Sequence, residues 1–387
     1  MFIPYGRQSI TEDDKAAVRA VLESDYLTQG PKVPEFEQSI MDATGAQFAV
    51  ASNSATSGLH IACLALGTGP GDVVWTSPIS FVASANCALY CGADVDFVDI
   101  YPRTFNMSAK ALRKKLEDTQ AAGGRMPKIV IPVHMGGQSA EMDVIWELAQ
   151  EYGFRVIEDA SHAIGARYKG EPVGNCRYSD ICVFSFHPVK IVTTAEGGMC
   201  TTNDAELARE MGLLRSHGVT RDEDLMTHAP DGPWYYQQVR LGLNYRMTEM
   251  QAALGVSQMT RLHDFVARRQ EIAQRYDRLL ADLPLVTPWQ HPDVYSSFHL
   301  YIIQPDIDAV GKSHRQIFEE LRAAQIGVNL HYIPIHTQPY YRNLGFADGD
   351  FPAAEDYYSR AISIPVFHGM TDAQQDRVVE VLSGILS

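Results

Sequence analysis

Positive charge is in short supply in this chain: 32 Lys and Arg residues stand against 47 Asp and Glu, a formal net charge of −15. A surface this acidic argues against duplex nucleic acid or an anionic membrane as the main partner, while leaving room for a local basic pocket that takes a phosphorylated ligand. Cysteine is sparse as well. The six cysteines lie within the first 200 residues, mostly inside apolar runs, and none are spaced as CxxC, a pattern of reduced, buried thiols rather than of a disulfide or zinc framework. Cys87 and Cys91 are four apart, but no histidine or second pair joins them, and core packing is the simpler reading. The thirteen histidines contain no HxxxH or HExxH spacing, so no metal is expected. Long apolar runs are missing too, none approaching the roughly 18 residues of a membrane-spanning helix. The segment Met1 to Arg7 lacks the basic-then-apolar order of a signal peptide. A cytoplasmic protein is expected.

What is present is an alternation. From about residue 35 to 210 short apolar runs alternate with amphipathic stretches, the pattern of βα units around a mostly parallel sheet covered on both faces. Seven strands are expected at 48–50, 72–76, 95–98, 128–133, 155–158, 181–185 and 199–202, in one large sheet of an α/β fold. Helical periodicity marks 109–120 and 142–152, the latter closed by Gly153. Thr248 and Gln251 form a capping box, after which apolar positions from Met250 to Leu279 predict one helix of more than eight turns bridging two domains. The remainder, with a strand at 299–303 and helices at 313–324 and 371–387, fits a smaller α+β domain. The expected organisation is an N-terminal segment 1–30 near the active site, a large domain 31–246, a bridging helix 247–283 and a small domain 284–387.

Two runs carry the chemistry. Val156-Ile157-Glu158-Asp159-Ala160-Ser161-His162 places Asp159 at the carboxyl end of a strand, facing the crevice where open α/β sheets bind ligands. Thirty-one residues later, Phe184-Ser185-Phe186-His187-Pro188-Val189-Lys190 brings a hydroxyl and an amine to the same sheet edge. A carboxylate that keeps a pyridine nitrogen protonated and an amine that forms a Schiff base are the two groups pyridoxal phosphate demands. Desolvation would favour a neutral Lys190 able to act as a base. The competing readings are Asp159 as the cap of the next turn and Lys190 as a snorkelling surface lysine. At Asn53-Ser54-Ala55-Thr56-Ser57-Gly58 a strand gives way to a helix, whose free N–H groups and hydroxyls suit a phosphate, with plain N-capping by Asn53 or Ser54 as the alternative. Phe81, just after the next strand, offers a flat ring for stacking, though an aromatic before an apolar helix is commonly core. His162 either meets the cofactor oxygen or supports Asp159. Thr193 to Gly198 turns the chain into the next strand, its glycines read as permitting tight backbone angles.

Taken in order, Tyr26-Leu27-Thr28-Gln29-Gly30-Pro31, Ser54-Ala55-Thr56-Ser57, Glu158-Asp159-Ala160-Ser161-His162, Ser185 to Lys190, Glu196-Gly197-Gly198, Leu214 to Gly218 and Leu241 to Met247 resemble the DegT/StrS-type sugar-nucleotide aminotransferases, across nearly the whole chain. The resemblance implies the fold type I of PLP-dependent transferases. It makes Lys190 the Schiff-base lysine, Asp159 the pyridine partner, Phe81 the stacking ring, His162 the neighbour of the cofactor oxygen, and Ala55, Thr56 and Ser185 phosphate ligands. Asn244 is similar to an asparagine that relatives give to the phosphate of a neighbouring subunit, which implies a homodimer with shared sites. Tyr5, Gln29, His331, Tyr332, Ile333 and Pro334 lie where relatives hold a nucleotide sugar. The runs Ile3 to Ile10, Ser185 to Lys190 with Thr193 to Glu196, and His331 to His336 are most similar to the pseudaminic acid subgroup, which implies L-glutamate as donor and C4 of a UDP-linked 4-keto-6-deoxy sugar as acceptor. His162 stands where many relatives have glutamine, and Gly6 and Ile191 depart from the Ser and Pro of that subgroup. Dehydration of a keto-sugar, the reaction of relatives with histidine at the lysine position, is disfavoured by Lys190. A regulatory protein that kept the fold but lost catalysis would be expected to have lost Lys190, Asp159 or the phosphate cup.

Overall fold

The structure is a computed structural model that describes residues 2–387. Seven strands form its main sheet: β1 (Phe48–Ser52), β2 (Val73–Thr76), β3 (Asp94–Phe97), β4 (Ile129–Ile131), β5 (Arg155–Asp159), β6 (Ile181–Ser185) and β7 (Gly198–Thr202). Their order is β1-β7-β6-β5-β4-β2-β3, with β7 antiparallel to both neighbours and every other pairing parallel. All seven expected strands are found in it.

The alternation of side chains along each strand explains why the runs are apolar throughout. Ile129, Ile131, Ile157, Ile181 and Val183 face helices α3 (Ala55–Ala65), α4 (Ala83–Tyr90) and α7 (Ala205–Leu214). Their neighbours Val130 and Val156 face α5 (Ala109–Ala121) and α6 (Met142–Tyr152), while Cys182 and Phe184 face α2 (Lys32–Thr44). Both faces of β4, β5 and β6 are covered, so charged residues there are confined to strand ends. Asp159 and Ser185 are such ends. Counting by twos along β5 and β6, both point to the α3 side.

A second core lies around a three-stranded antiparallel sheet, β8 (Leu285–Val286), β9 (Tyr301–Pro305) and β10 (Ile362–Ile364). Helices His314–Ala323 and Asp372–Leu386 cover it, capped by Ser313 and Thr371. Ile3 is buried in this core, its N–H bonded to the Gln325 carbonyl and its own carbonyl accepting from Gly327 N–H, so the N-terminal segment is tied to the second core.

The single bridging helix expected over 247–283 is two helices, α8 (Glu249–Met259) and α9 (Leu262–Leu279). Arg261 leaves helical geometry at φ −113° and ψ 9°, and the Thr260 hydroxyl bonds back to the Ser257 carbonyl at 2.7 Å. Met259 and Leu262 stay three apart, in phase with the apolar stripe, so the periodicity runs through a break that it cannot register. Of the two, α9 does the bridging: Phe265 and Val266 join the core against the main sheet, Ile272 and Tyr276 the second core.

Candidate active site

Between the carboxyl ends of β5 and β6, the start of α3 and the stretch 329–332 lies a cavity of about 560 Å³. Ala55, Thr56, Phe81, Asp159, His162, Ser185, Lys190, Tyr5, His331 and Tyr332 all line it. Ile333, Pro334, Gln29 and Asn244 do not. Ile333 is exposed. Gln29 lines a separate cleft of about 320 Å³ with Arg215 and Arg246, and Asn244 is bridged to Ser216.

Asp159 is held from two directions. Ser84 Oγ donates to its Oδ2 at 2.6 Å and Ser161 N–H to its Oδ1 at 3.1 Å. Ser84 has a single proton, so Ser80, 2.6 Å away, must be the donor in the Ser80–Ser84 pair. The capping alternative is therefore partly met, since the carboxylate does bond the following turn, yet its second oxygen is held by α4. On the other face of β5, Glu158 is bound by Ser179 Oγ and His134 Nε2, at 2.5 and 2.7 Å, and these contacts pin the strand that carries Asp159.

Lys190 closes a turn, its N–H bonded to the His187 carbonyl at 2.9 Å. The residue is half-buried, and it lines the same cavity as Asp159. Burial lowers its pKa to about 8 against the opposing pull of Asp159, the direction desolvation gives a lysine. The same environment keeps the imidazoles neutral. Burial, then Lys190, holds His331 down at about 3, and burial followed by neighbouring charge holds His162 and His299 well below the ordinary histidine range.

At the start of α3, Ser54 is the N-cap, accepting from Ser57 N–H at 3.1 Å. The N–H groups of Ala55 and Thr56 have no protein acceptor among the described residues, so capping and an open anion cradle coexist. Gly198 makes this approach possible: a Cβ there would stand 2.5 Å from the Ser54 carbonyl carbon and 2.6 Å from Ala55 N. Space rather than backbone angle is what this glycine supplies, and the positive φ of the turn belongs to Ala195, at 66°. Phe81 is 59% exposed, so the core reading of this ring does not hold. It leans toward Tyr332 with centroids 6.2 Å apart.

Sequence reasoning passed over Ser84, His299 and Asn329. His299 lines the cavity, packs on His162 with ring centroids 4.4 Å apart, and has a buried Nδ1 with no partner among the described residues. Asn329 donates to His331 Nε2 at 3.3 Å, and His331 Nδ1 bonds Ser363 Oγ at 2.8 Å. Each comes from a segment remote in sequence from the two diagnostic runs and carries no local signature.

The residues fit pyridoxal phosphate: a half-buried lysine, a fixed carboxylate, an exposed flat ring and unpaired N–H groups at a helix start converge on one cavity. Fold and site together define a PLP-dependent transferase of fold type I. Residues 8–383 match the DegT/DnrJ/EryC1/StrS aminotransferase family, and the chain belongs to it. It is 39% identical over 388 residues, spanning 100% of this chain and 97% of the relative, to the spore coat polysaccharide biosynthesis protein SpsC of Bacillus subtilis. Helicobacter pylori PseC, an aminotransferase involved in the biosynthesis of pseudoaminic acid, superposes with a TM-score of 0.90 at 30% identity, covering 100% of this chain and 99% of PseC. Streptococcus pneumoniae Spr1654 in its PLP-form gives a TM-score of 0.88 at 29% identity, covering 100% of both chains. The same protein is also solved in a PMP-form, with a TM-score of 0.89 at 30% identity, covering 99% of this chain and 98% of that one.

Proposed function

We propose that this aminotransferase moves the amino group of L-glutamate to C4 of a nucleotide-linked 4-keto-6-deoxy sugar, UDP-2-acetamido-2,6-dideoxy-β-L-arabino-hex-4-ulose, in nonulosonic (pseudaminic) acid biosynthesis. The observation that carries the amino-transfer reading is that Lys190 and Asp159 line one cavity. The likeness to PseC along the whole chain supports the choice of sugar, and SpsC supports a role in surface polysaccharide assembly.

The bound cofactor supplies a protonated pyridine ring that withdraws electrons from a carbon losing its proton. In this reading Lys190 holds the cofactor. Its Nζ then carries the proton between carbon atoms, a task suited to an amine whose pKa has been brought to about 8. Asp159, fixed by Ser84 and Ser161, holds the proton on the ring nitrogen. Phe81 would cover the ring, Ala55, Thr56 and Ser185 would hold the phosphate, and Tyr5, His331 and Tyr332 would border the space for the sugar.

Apart from Lys190 the cavity lining contains no lysine or arginine, although phosphate, diphosphate and glutamate are all anionic. A second copy of the chain supplies what is missing, with Asn244 reaching the partner's phosphate site and the cleft of Gln29 and Arg246 nearby. The segment leading to Asn244 supports this arrangement, for Leu241 is 88% exposed and Trp234 71%, apolar surface that a partner would cover. Six unpaired cysteines accord with a reducing, cytoplasmic setting.

The test is incubation with L-glutamate and a panel of UDP- and dTDP-4-keto-6-deoxy sugars, following 2-oxoglutarate and amino sugar by mass spectrometry. Amination of the L-arabino UDP-ketosugar alone is the expected result. Preference for another sugar replaces the substrate, and no product with any ketone overturns the proposal.

A further inference from the structure

Arg269 sits on α9 between the residues that join the main-sheet core and those that join the second core. It is 2% exposed, and burial alone acts on its pKa, lowering it to about 10. A guanidinium buried without a counter-ion is costly, so the groups it binds must compensate. Its Nη1 donates to the carbonyls of Phe298, His299 and Val366 at 3.1, 3.3 and 3.0 Å, bonds that the charge strengthens. No other donor among the described residues meets these three carbonyls.

The carbonyls stand at neighbouring ends of two paired strands, just before β9 and just after β10, and each end carries cavity wall. Phe298 has φ 45°, a left-handed conformation that an aromatic residue keeps only when its surroundings hold it. The residue that follows this turn is His299. Val366 N–H donates to the Tyr5 carbonyl at 3.0 Å. On β10, Ser363 exchanges backbone bonds of 2.8 and 3.2 Å with Asn329, and its Oγ meets His331 Nδ1 at 2.8 Å. Tyr5, His299, Asn329 and His331 all line the cavity, and none of the four stands on the main sheet.

We propose that Arg269 is a positioning residue for the acceptor substrate: by tying the ends of β9 and β10 to the bridging helix, it fixes the wall of Tyr5, His299, Asn329 and His331 at the distance from the main sheet that the sugar requires. Arg269 does not line the cavity, so it acts through the wall and not on the ligand. The inference rests on the reading of this wall as the sugar's border. Asp159 and Lys190 are held by Ser84, Ser161 and the His187 carbonyl, none of which bonds Arg269, so attachment of the cofactor is independent of it.

The test compares wild type with Arg269→Met, which keeps an unbranched apolar chain and removes the donors, and with Arg269→Lys, which keeps the charge but ends one bond short of Nη1. Hydrogen exchange of the apo-protein, read by peptide mass spectrometry, is expected to quicken about tenfold in Arg269→Met over residues 296–303 and 362–367, the scale of one lost hydrogen bond to a charged group. Residues 181–190 should exchange as in wild type. In the PLP-loaded enzyme, KM for the keto-sugar that the wild type aminates rises about tenfold while kcat stays within about twofold. The cofactor's absorption and its pH midpoint do not move. Arg269→Lys gives intermediate values of exchange and KM. The proposal falls if folded Arg269→Met keeps the wild-type KM, since Arg269 would then serve stability alone. It falls equally if the two wall segments exchange at wild-type rates, or if the cofactor midpoint moves together with KM, which would place the damage on the main sheet. Should Arg269→Met fail to fold, Arg269→Lys decides by the same readouts. The exchange measurement uses neither cofactor nor sugar, so a wild type that aminates no ketone sinks the substrate reading and leaves this measurement to decide whether Arg269 holds the wall.

Discussion

Lys190 is a base whose folded pKa, about 8, lies below the ordinary lysine value of about 10.4. Between those values the unfolded chain binds more protons than the folded one, so this group's contribution to stability rises with pH across that window, and its cost is fully present below about pH 8. Two outcomes are expected for the apo-protein. Labelling of Lys190 by an amine-acylating reagent, read by peptide mass spectrometry, increases about tenfold per pH unit and levels off above about pH 8, whereas surface lysines continue to rise toward about pH 10. Lys190→Met raises the melting temperature at pH 7, and the gain vanishes near pH 10.5. Ser84 makes a second case at this scale. Removing its hydroxyl takes a donor from a buried carboxylate, so Ser84→Ala is expected to cost about 1–3 kcal/mol in denaturant unfolding and to weaken cofactor retention. Asp159 and Lys190 were legible because each sits within a few residues of an apolar strand whose end fixes its direction. Ser84 lies 75 residues from the carboxylate it holds, on a helix whose composition reads as plain core, and nothing local marks it.

Among the elements, the strands were the most legible and the long helix the least. A strand dry on both faces announces itself by composition, as β2, β4 and β6 do. The break between α8 and α9 is set by what meets it from elsewhere. Asp14, in the first turn of α1 (Glu12–Leu22), is fully buried and accepts from Thr11 N–H at 2.8 Å, Ser257 Oγ at 2.7 Å, Gln258 Nε2 at 2.8 Å and Arg261 Nη2 at 2.6 Å. One carboxylate thus caps its own helix and clamps the end of another, and Arg261 is drawn out of the helix at the junction. No sequence periodicity encodes that tertiary contact. Burial alone would push the Asp14 carboxyl up, but the bonds from Ser257, Thr11 and Arg261 outweigh it and hold the pKa below the usual value. The stabilisation is therefore present above the unfolded aspartate pKa of about 3.9 and is lost as pH falls through the lower folded value. Asp14→Asn is expected to lower stability at pH 7 by about 3 kcal/mol, the low end for breaking a buried pair because Arg261 remains partly solvated. The gap to wild type should narrow as unfolding is followed from pH 5 down to pH 2. A gap that stays constant across that range would show that the clamp works by shape and not by charge.

For the molecule as a whole, the cavity is bordered on one side by the main sheet and on the other by residues 329–332, whose neighbours are anchored in the second core through Val328 and Ser363. A single chain assembles the amine, the carboxylate and the ring platform, and no arginine lines the cavity. In the proposed dimer, Lys190 of one copy and Asn244 of the other serve the same cofactor, which gives an arithmetic consequence that no monomer can imitate. Lys190→Ala and Asn244→Ala homodimers should each be inactive or nearly so. When the two variants are unfolded together and refolded, half of the dimers are hybrids, and in each hybrid one site has both substitutions while the other has neither. Activity should return to about one quarter of that of wild type refolded in the same way, the value fixed by twofold symmetry. If each copy used its own Asn244, the hybrids would contain only singly defective sites and mixing would restore nothing.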